Sequence, residues 1–545
     1  MSDTEPSTVK SGNGRWNWFK YKLFYGGTFK GMITFTIVYL FVIVLFLSTF
    51  SQPIVDLFGA PLLPFEFSSS TEDLMAFSAR VAMLYHAIAV PFLAICTYFV
   101  LEYCDVREKF KSRIKWPLFF GSMLTSICGI LYSYFFPKGW ILHGLYLLGL
   151  SLCFYAGILL LIAIFPTKSF PKNWNKQENK INIIFEQLAL VTIAICILLT
   201  TVLGASIGAF FGNDDLTAFL AEYFLREPEV LPYPYDVAEI FVDGVKAHLH
   251  AMLAQIDVII LLVVFRYTMG NNPKGRLHLL AMIMAIPGTF ILSLGSWLVT
   301  FKSVVPLITF GILEEWPFDM HYLIYVGSAI VVTVGVILAL IGWSKLSKDT
   351  LGDAYKSAGW GTRIKALFKD PVKFTLYFLF IWVNFVMTFS GIFLALSLHD
   401  TSVLAKVLPF VSFRSGPLAV ETTVARGHWH ILATLSAVTL FLLFVDILRV
   451  EGKSRKVMGW LMLAGSILAF GFGMIYMYFP HLDQNWANNL TLYASVQEFW
   501  EVNAFWEPLL LDLGITLIAL ALVIFCFYEL IQIIKGKRDV NVFPE

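Results

Sequence analysis

Charge is what this chain has least of. Only 14% of its 545 residues are charged, and they nearly cancel, to a net +1. A near-neutral chain without a basic stripe has no means of neutralising phosphates, which excludes nucleic acid as a partner. So little charge beside 58% hydrophobic residues also excludes a soluble chain of this length, which could not hide that much apolar surface. Cysteine is sparse as well. Cys96, Cys104, Cys128, Cys153, Cys196 and Cys526 lie in or beside apolar runs, and none are paired as CxxC. That spacing excludes a cysteine-held cluster and a covalently attached c-type heme, and it reads the six as small core hydrophobes. HExxH is also absent, which removes the i, i+4 histidine pair of a one-helix zinc site.

Apolar runs of spanning length are abundant instead. A helix needs about 20 residues to cross the hydrocarbon layer. Twelve runs meet that length: 31–50, 78–103, 115–136, 140–165, 182–211, 240–267, 277–300, 321–344, 372–397, 424–448, 456–478 and 507–534. They predict an all-α membrane protein with twelve transmembrane helices and one polytopic membrane domain over 1–545. In it, 1–30 is a cytoplasmic N-terminal segment, 31–534 the bundle and 535–545 a cytoplasmic tail. The run 32–50 follows a basic segment and lacks a small-residue cleavage site, so it is expected to stay as the first span and not to act as a signal peptide. The connecting loops alternate in charge. DVREKFKSRIK, FPTKSFPKNWNKQENK, RYTMGNNPKGR, SKLSKDTLGDAYKSAGWGTRIKALFKD and RVEGKSRK are basic, and the loops between them are acidic or neutral. The excess of Lys and Arg on one side predicts both termini in the cytoplasm of a cell (inner) membrane protein.

Topology then makes the histidines informative. His86, His143, His248, His250, His321, His428 and His430 fall near the outer ends of even-numbered spans, and His399 and His481 in outer loops. Only His278 is expected on the cytoplasmic side. A lone histidine at a helix end is usually an interfacial or hydrogen-bonded residue. A collection of them near membrane depth costs free energy unless they bind something or pair. Neutral imidazole is a common ligand for heme iron and transition metals. Two stretches repeat one arrangement: VKAHLHAMLA at 245–254 and VARGHWHILATL at 424–435. Residues two apart on a helix point about 200° apart, so His-x-His chelates one metal poorly but can bracket two groups on opposite sides. The histidine-bearing spans two, six and ten are separated by roughly 160–180 residues. That spacing suggests three pseudo-equivalent arcs of four helices.

Twelve spans with a histidine on the second, one on the sixth and His-x-His on the tenth resemble subunit I of the heme-copper oxidase superfamily, which includes terminal oxidases and nitric-oxide reductases. The resemblance covers the chain in topology, and short motifs in sequence. It implies that His86, in RVAMLYHAIAVPF, and His430 clamp a low-spin heme b, and that His428 is the catalytic, proximal ligand of a second, high-spin heme. It implies a non-heme iron or copper site involving the sixth span, here His248 and His250 with His321. Two departures stand out. No His-His pair follows the seventh span, where FKSVVPLITFGILEEWPFDMHYL supplies only His321 with Glu314, Glu315 and Asp319. After His250 come Ala251, Met252, Leu253 and Ala254 in place of a glutamate or tyrosine. A mixed imidazole–carboxylate iron site, no second metal, or a further heme bracketed by His248/His250 and His143 remain as alternatives at this stage.

Lys246, Arg426 and Arg414 are candidates to neutralise heme propionates, because a guanidinium matches a carboxylate in a bidentate way, against ordinary interfacial snorkelling. Gln255 and Asp257 in the sixth span read either as part of a proton path or as a structural pair in the bundle interior. The eighth span adds only Ser328 and Thr333, so protons are expected from the outer side past Glu314, Glu315, Asp319 and Glu421. The expected function is a membrane heme b oxidoreductase reducing a small gas, with membrane lipid around it, a cytochrome or quinol as electron donor and a partner subunit. The alternative is an electron-transfer heme b subunit without gas chemistry. A non-heme transporter is disfavoured, since the spans offer few paired charges or broken helices.

Overall fold

The computed structural model describes residues 32–33, 35–40, 43, 74–135, 139–168, 170–171, 179–211, 237–270, 275–301, 321–382, 434–478 and 507–534. They are almost wholly helical, with one isolated β-bridge, Thr167 to Phe170. Nine helices among the described residues are long and apolar enough to cross a membrane. These are α1 (Leu74–Tyr103), α2 (Glu108–Tyr134), α3 (Trp140–Ile164), α4 (Lys180–Phe211), α5 (Val237–Met269), α6 (Arg276–Phe301), α7 (His321–Leu351), α11 (Gly452–Tyr478) and α12 (Glu507–Ile534). Between α7 and α11 lie the short α8 (Trp360–Leu367) and two shorter apolar helices, α9 (Pro371–Trp382) and α10 (Thr434–Ile447). The chain is therefore an all-α, multi-pass membrane protein. The expected first span and the outer parts of the ninth and tenth lie largely outside the described residues.

The chain divides into two compact units, Met1–Leu160 with Gln532–Glu545, and Leu161–Ile531. In the first, α1 carries Pro91 in mid-helix. Proline has no N–H, so the Ala87 carbonyl one turn earlier loses its helical donor. Ser126 of α2 donates its hydroxyl to that carbonyl and accepts from Tyr39 at 2.8 Å. One orphaned acceptor thus sets the register between two helices. Where α2 meets α3, Gly121 and Gly149 bring the backbones together. A Cβ on Gly121 would stand 2.7 Å from the Gly149 carbonyl, the small-residue crossing that membrane helices use where no hydrophobic force acts between them.

In the second unit α5 is the central helix. From Gln255 to Arg266 every residue is buried, and 67% of its spanning window is buried against 17% for α12. Residues seven or eleven apart share a helix face within about 20°. His248, Gln255 and Arg266 therefore form one face, which meets α4 and α6, and His250, Asp257 and Thr268 form another. Near one end, consecutive side chains of α5 engage three directions. Arg266 pairs with Glu186 of α4 at 3.1 Å. Tyr267 donates to Asp446 of α10 at 3.0 Å. Thr268 accepts from Tyr377 of α9 at 2.8 Å. At the same end Arg455 of α11 holds Asp370 through Nε at 3.1 Å and Nη2 at 2.8 Å, and also reaches Asp446.

Candidate functional site

Two of the imidazoles within spanning helices, His86 and His248, are anchored in the same way. In the first unit, His86 of α1 is half-buried. Its Nδ1 lies 2.8 Å from the Ala82 carbonyl one turn earlier. A carbonyl only accepts, so Nδ1 carries the proton, and in the neutral ring the basic lone pair is on Nε2. Tyr146 of α3 sets its ring edge-on to His86, centroids 6.1 Å apart. Tyr146 is 5% exposed and packs with Met83 and Cys128. His143, exposed on α3, ranges beside Tyr146 and Tyr132.

In the second unit, His248 of α5 donates Nδ1–H to the Thr200 carbonyl of α4 at 2.9 Å, again placing the lone pair on Nε2. Its ring lies over Gly204. A Cβ there would fall 2.6 Å from Nδ1 and 2.9 Å from Nε2. Beneath the ring is a buried polar knot. Gln255 donates to Thr200 Oγ1 at 3.1 Å and to Ser293 Oγ of α6 at 2.7 Å. Trp297 of α6 donates its indole N–H to the same Thr200 hydroxyl at 3.1 Å. Thr200 in turn donates to the Cys196 carbonyl at 2.8 Å. Gln255 Oε1 is buried and has no hydrogen-bond partner among the described residues.

Gln255 and Asp257 are not a structural pair. Two residues apart on α5, they point about 200° away from each other, and Gln255 is engaged by α4 and α6 instead. Asp257, 7% exposed, meets no hydrogen-bond donor among the described residues. His278, expected near the cytoplasmic boundary, is fully buried among Glu186, Asn182 and Phe265. The Asn182 amide nitrogen donates to the Gly275 carbonyl and lies 3.0 Å from His278 Nδ1, and the Phe265 ring stacks on the imidazole at 4.8 Å. Glu186 is within 3.5 Å of His278 Nε2 as well as bonded to Arg266. Glu186 and Arg266 thus pair near adjoining ends of α4 and α5.

The remaining candidates divide as follows. His250 is half-buried on α5, on the opposite face from His248. His321 is the first residue of α7, and Lys246 lies within α5; the side chains of both are outside the described residues. Arg426, His428, His430, Arg414, Glu314 and Glu315 lie outside them altogether, as do Asp319 and Glu421. Among the described residues no three His, Cys, Asp or Glu side chains converge as a metal site. Thr200, Gly204 and Glu186 escaped the sequence reading. The glycine one turn after a threonine, facing a histidine-bearing span, was the available signal. No family model, no curated protein and no solved structure matches the chain.

Proposed function

We propose that this chain is a divergent relative of heme-copper oxidase subunit I. In this reading it is a membrane heme b oxidoreductase that reduces nitric oxide or oxygen at a high-spin heme, with electrons relayed by a low-spin heme. The carrying observation is the paired anchoring of His86 and His248. Each donates Nδ1–H to a backbone carbonyl, which leaves the basic lone pair on Nε2. Metal-binding imidazoles are oriented in just this way by the partner of their other nitrogen. They fall on the second and sixth of the twelve expected spans, the positions at which the resemblance calls for ligands.

The residues present fit the group. His86 and His430 would hold the low-spin heme, His428 the high-spin one, and His248 with His250 or His321 would hold a non-heme iron or copper. Heme iron, when bound, supplies the electron relay and an open coordination face for the gas. The chain itself fixes the tautomer of each ligand, excludes water through the aromatic packing around His86, and offers Arg426, Lys246 and Arg414 for propionates. The twelve spans form three arcs of four. Both termini are cytoplasmic in the inner membrane, the ligands sit toward the outer face, protons pass Glu314 and Glu315, and a cytochrome or quinol with a partner subunit delivers electrons.

The test is an optical spectrum of purified protein reduced with dithionite, before and after carbon monoxide. The expected result is two b hemes per chain, one of which shifts on adding the gas. His428→Ala should abolish the shift and remove one heme; His86→Ala should remove the unshifted component. Full heme with no shift favours an electron-transfer subunit, and no heme at all rejects the family reading.

A further inference from the structure

We propose that α8 and the first turns of α11 together hold one anionic phospholipid. Its phosphate sits among the ammonium groups of Lys365, Lys369, Lys453 and Lys456, and its glycerol and acyl part lies against the stacked rings of Phe368 and Trp460. The proposal does not depend on the heme reading.

The two elements are locked together. Arg455, in the first turn of α11, grips Asp370, three residues after α8 ends, at 2.8 and 3.1 Å. Thr375 of α9 donates to the Gly459 carbonyl at 3.1 Å, and a Cβ on Gly459 would stand 2.6 Å from the Val372 nitrogen. The 455 and 459 face of α11 is therefore spent on α9. At about 100° per residue, positions 453, 456 and 457 lie within about 60° of Trp460 on a neighbouring face. Lys453, Lys456, Val457 and Trp460 are all exposed there. Trp460, 41% exposed, stacks on Phe368, 42% exposed, with centroids 5.9 Å apart and planes 18° from parallel. Each ring has an exposed lysine about one turn earlier on its own chain segment: Lys456 four residues before Trp460, and Lys365 three before Phe368. Further along α11 the exposed positions are Ala464, Ile467 and Ile475. From the end of the spanning window inward, the surface thus runs from ammonium to ring to aliphatic. A phospholipid runs from phosphate to glycerol ester to acyl chain in the same order.

Charge points to an anionic occupant. Other cations of this end are engaged: Lys345 with Asp349, Lys373 with Asp446, and Lys348 and Arg363 over the Tyr355 ring. Arg455 takes up both Asp370 and Asp446. Lys365, Lys369, Lys453 and Lys456 make no ion pair or ring contact among the described residues, and Glu451 adds one exposed carboxylate beside them. A phosphate balances such a group of point charges. The rings and the aliphatic stripe favour a lipid over dissolved phosphate, which has no apolar part to bury.

The test uses purified full-length protein in dodecyl maltoside, given equal amounts of phosphatidylglycerol and phosphatidylcholine. Native mass spectrometry identifies the first lipid bound, and phosphatidylglycerol is expected to predominate. Each lysine near an anionic lipid contributes about fivefold in binding, so Lys365→Gln and Lys456→Gln should each lower the ratio of the two lipids by that factor, and together by roughly twentyfold. Lys456→Arg should keep the ratio, as should Lys345→Gln, whose cation is already paired. An excess of glycerol phosphate should not displace the bound lipid. If the double variant does not purify, the two single variants decide. Equal binding of the two lipids overturns the proposal, as does a ratio that the lysine variants leave unmoved. An equal loss in Lys345→Gln would show diffuse charge in place of a site, and displacement by glycerol phosphate would show a site for a free anion; either result also overturns it.

Discussion

An imidazole has two nitrogens and, when neutral, one proton to place between them. At His86 the deciding acceptor is local, the carbonyl one turn back. At His248 it belongs to another helix, 48 residues away in sequence. That difference makes His248 sensitive to its neighbours. Gln255 ties α5 to α4 and α6 with two buried hydrogen bonds. Interhelical hydrogen bonds in membranes average about 0.6 kcal/mol, with a maximum near ~1.7. Gln255→Met is therefore expected to cost roughly 1–2 kcal/mol, measured by reversible unfolding in mixed detergent micelles. A loss above about 4 kcal/mol would mean the knot is more than the sum of two bonds. The histidine positions were legible in the sequence because imidazole at membrane depth is conspicuous. Their orientation was not, because the Thr200 carbonyl carries no sequence signature and Gly204 announces itself only once α4 and α5 are in contact.

At the scale of elements, apolar length did most of the specifying. The expected spans 78–103, 140–165 and 182–211 match α1, α3 and α4 within a few residues, since the hydrocarbon layer sets helix length. Partner choice was not legible. Glu186 and Arg266 lie in different spans, and nothing in either span names the other. Their contact has a measurable consequence. Glu186 is 6% exposed and Arg266 3%, so removing the cation leaves a buried carboxylate beside His278. Breaking a buried ion pair from one side costs about 3–5 kcal/mol, whereas replacing both partners is often close to neutral. Arg266→Met is expected to fall in that range by the same unfolding measurement, and Glu186→Gln with Arg266→Met to recover most of it. An additive double variant would show that the two residues act independently. The placement also explains why the tip of α5 tolerates three polar residues in a row. At about 100° per residue, Arg266, Tyr267 and Thr268 each find a different neighbouring helix.

For the whole molecule, the orientation in the membrane decides what the site can do. The ion pairs of Arg266 and Arg455 lie at one end of the second unit, the end to which the basic connections attach. His248 stands 18 residues earlier on α5, about 27 Å along the axis at 1.5 Å per residue. The segment from α7 to α9 belongs to the basic end. It is built of a 3-10 turn, Gly352–Tyr355, and α8, with Arg363 stacked on Tyr355 at 4.4 Å. Ser357 is exposed there. The rule that cytoplasmic loops carry the excess of Lys and Arg predicts that this segment lies inside the cell. Ser357→Cys should then react with a membrane-impermeant maleimide in inverted vesicles and stay unlabelled in intact cells. Ser402→Cys, in the loop following the ninth expected span, should show the reverse. The native cysteines contribute little background, since five of the six are buried or partly buried and Cys526 lies within the spanning window of α12. The expected pattern leaves His248 and His250 nearer the outer face, within reach of an external cytochrome and of protons drawn from outside. The opposite pattern would turn the imidazoles toward the cytoplasm. It would exclude a donor on the outer side while leaving the anchoring of each ring unchanged, so labelling separates the direction of electron supply from the identity of the ligands.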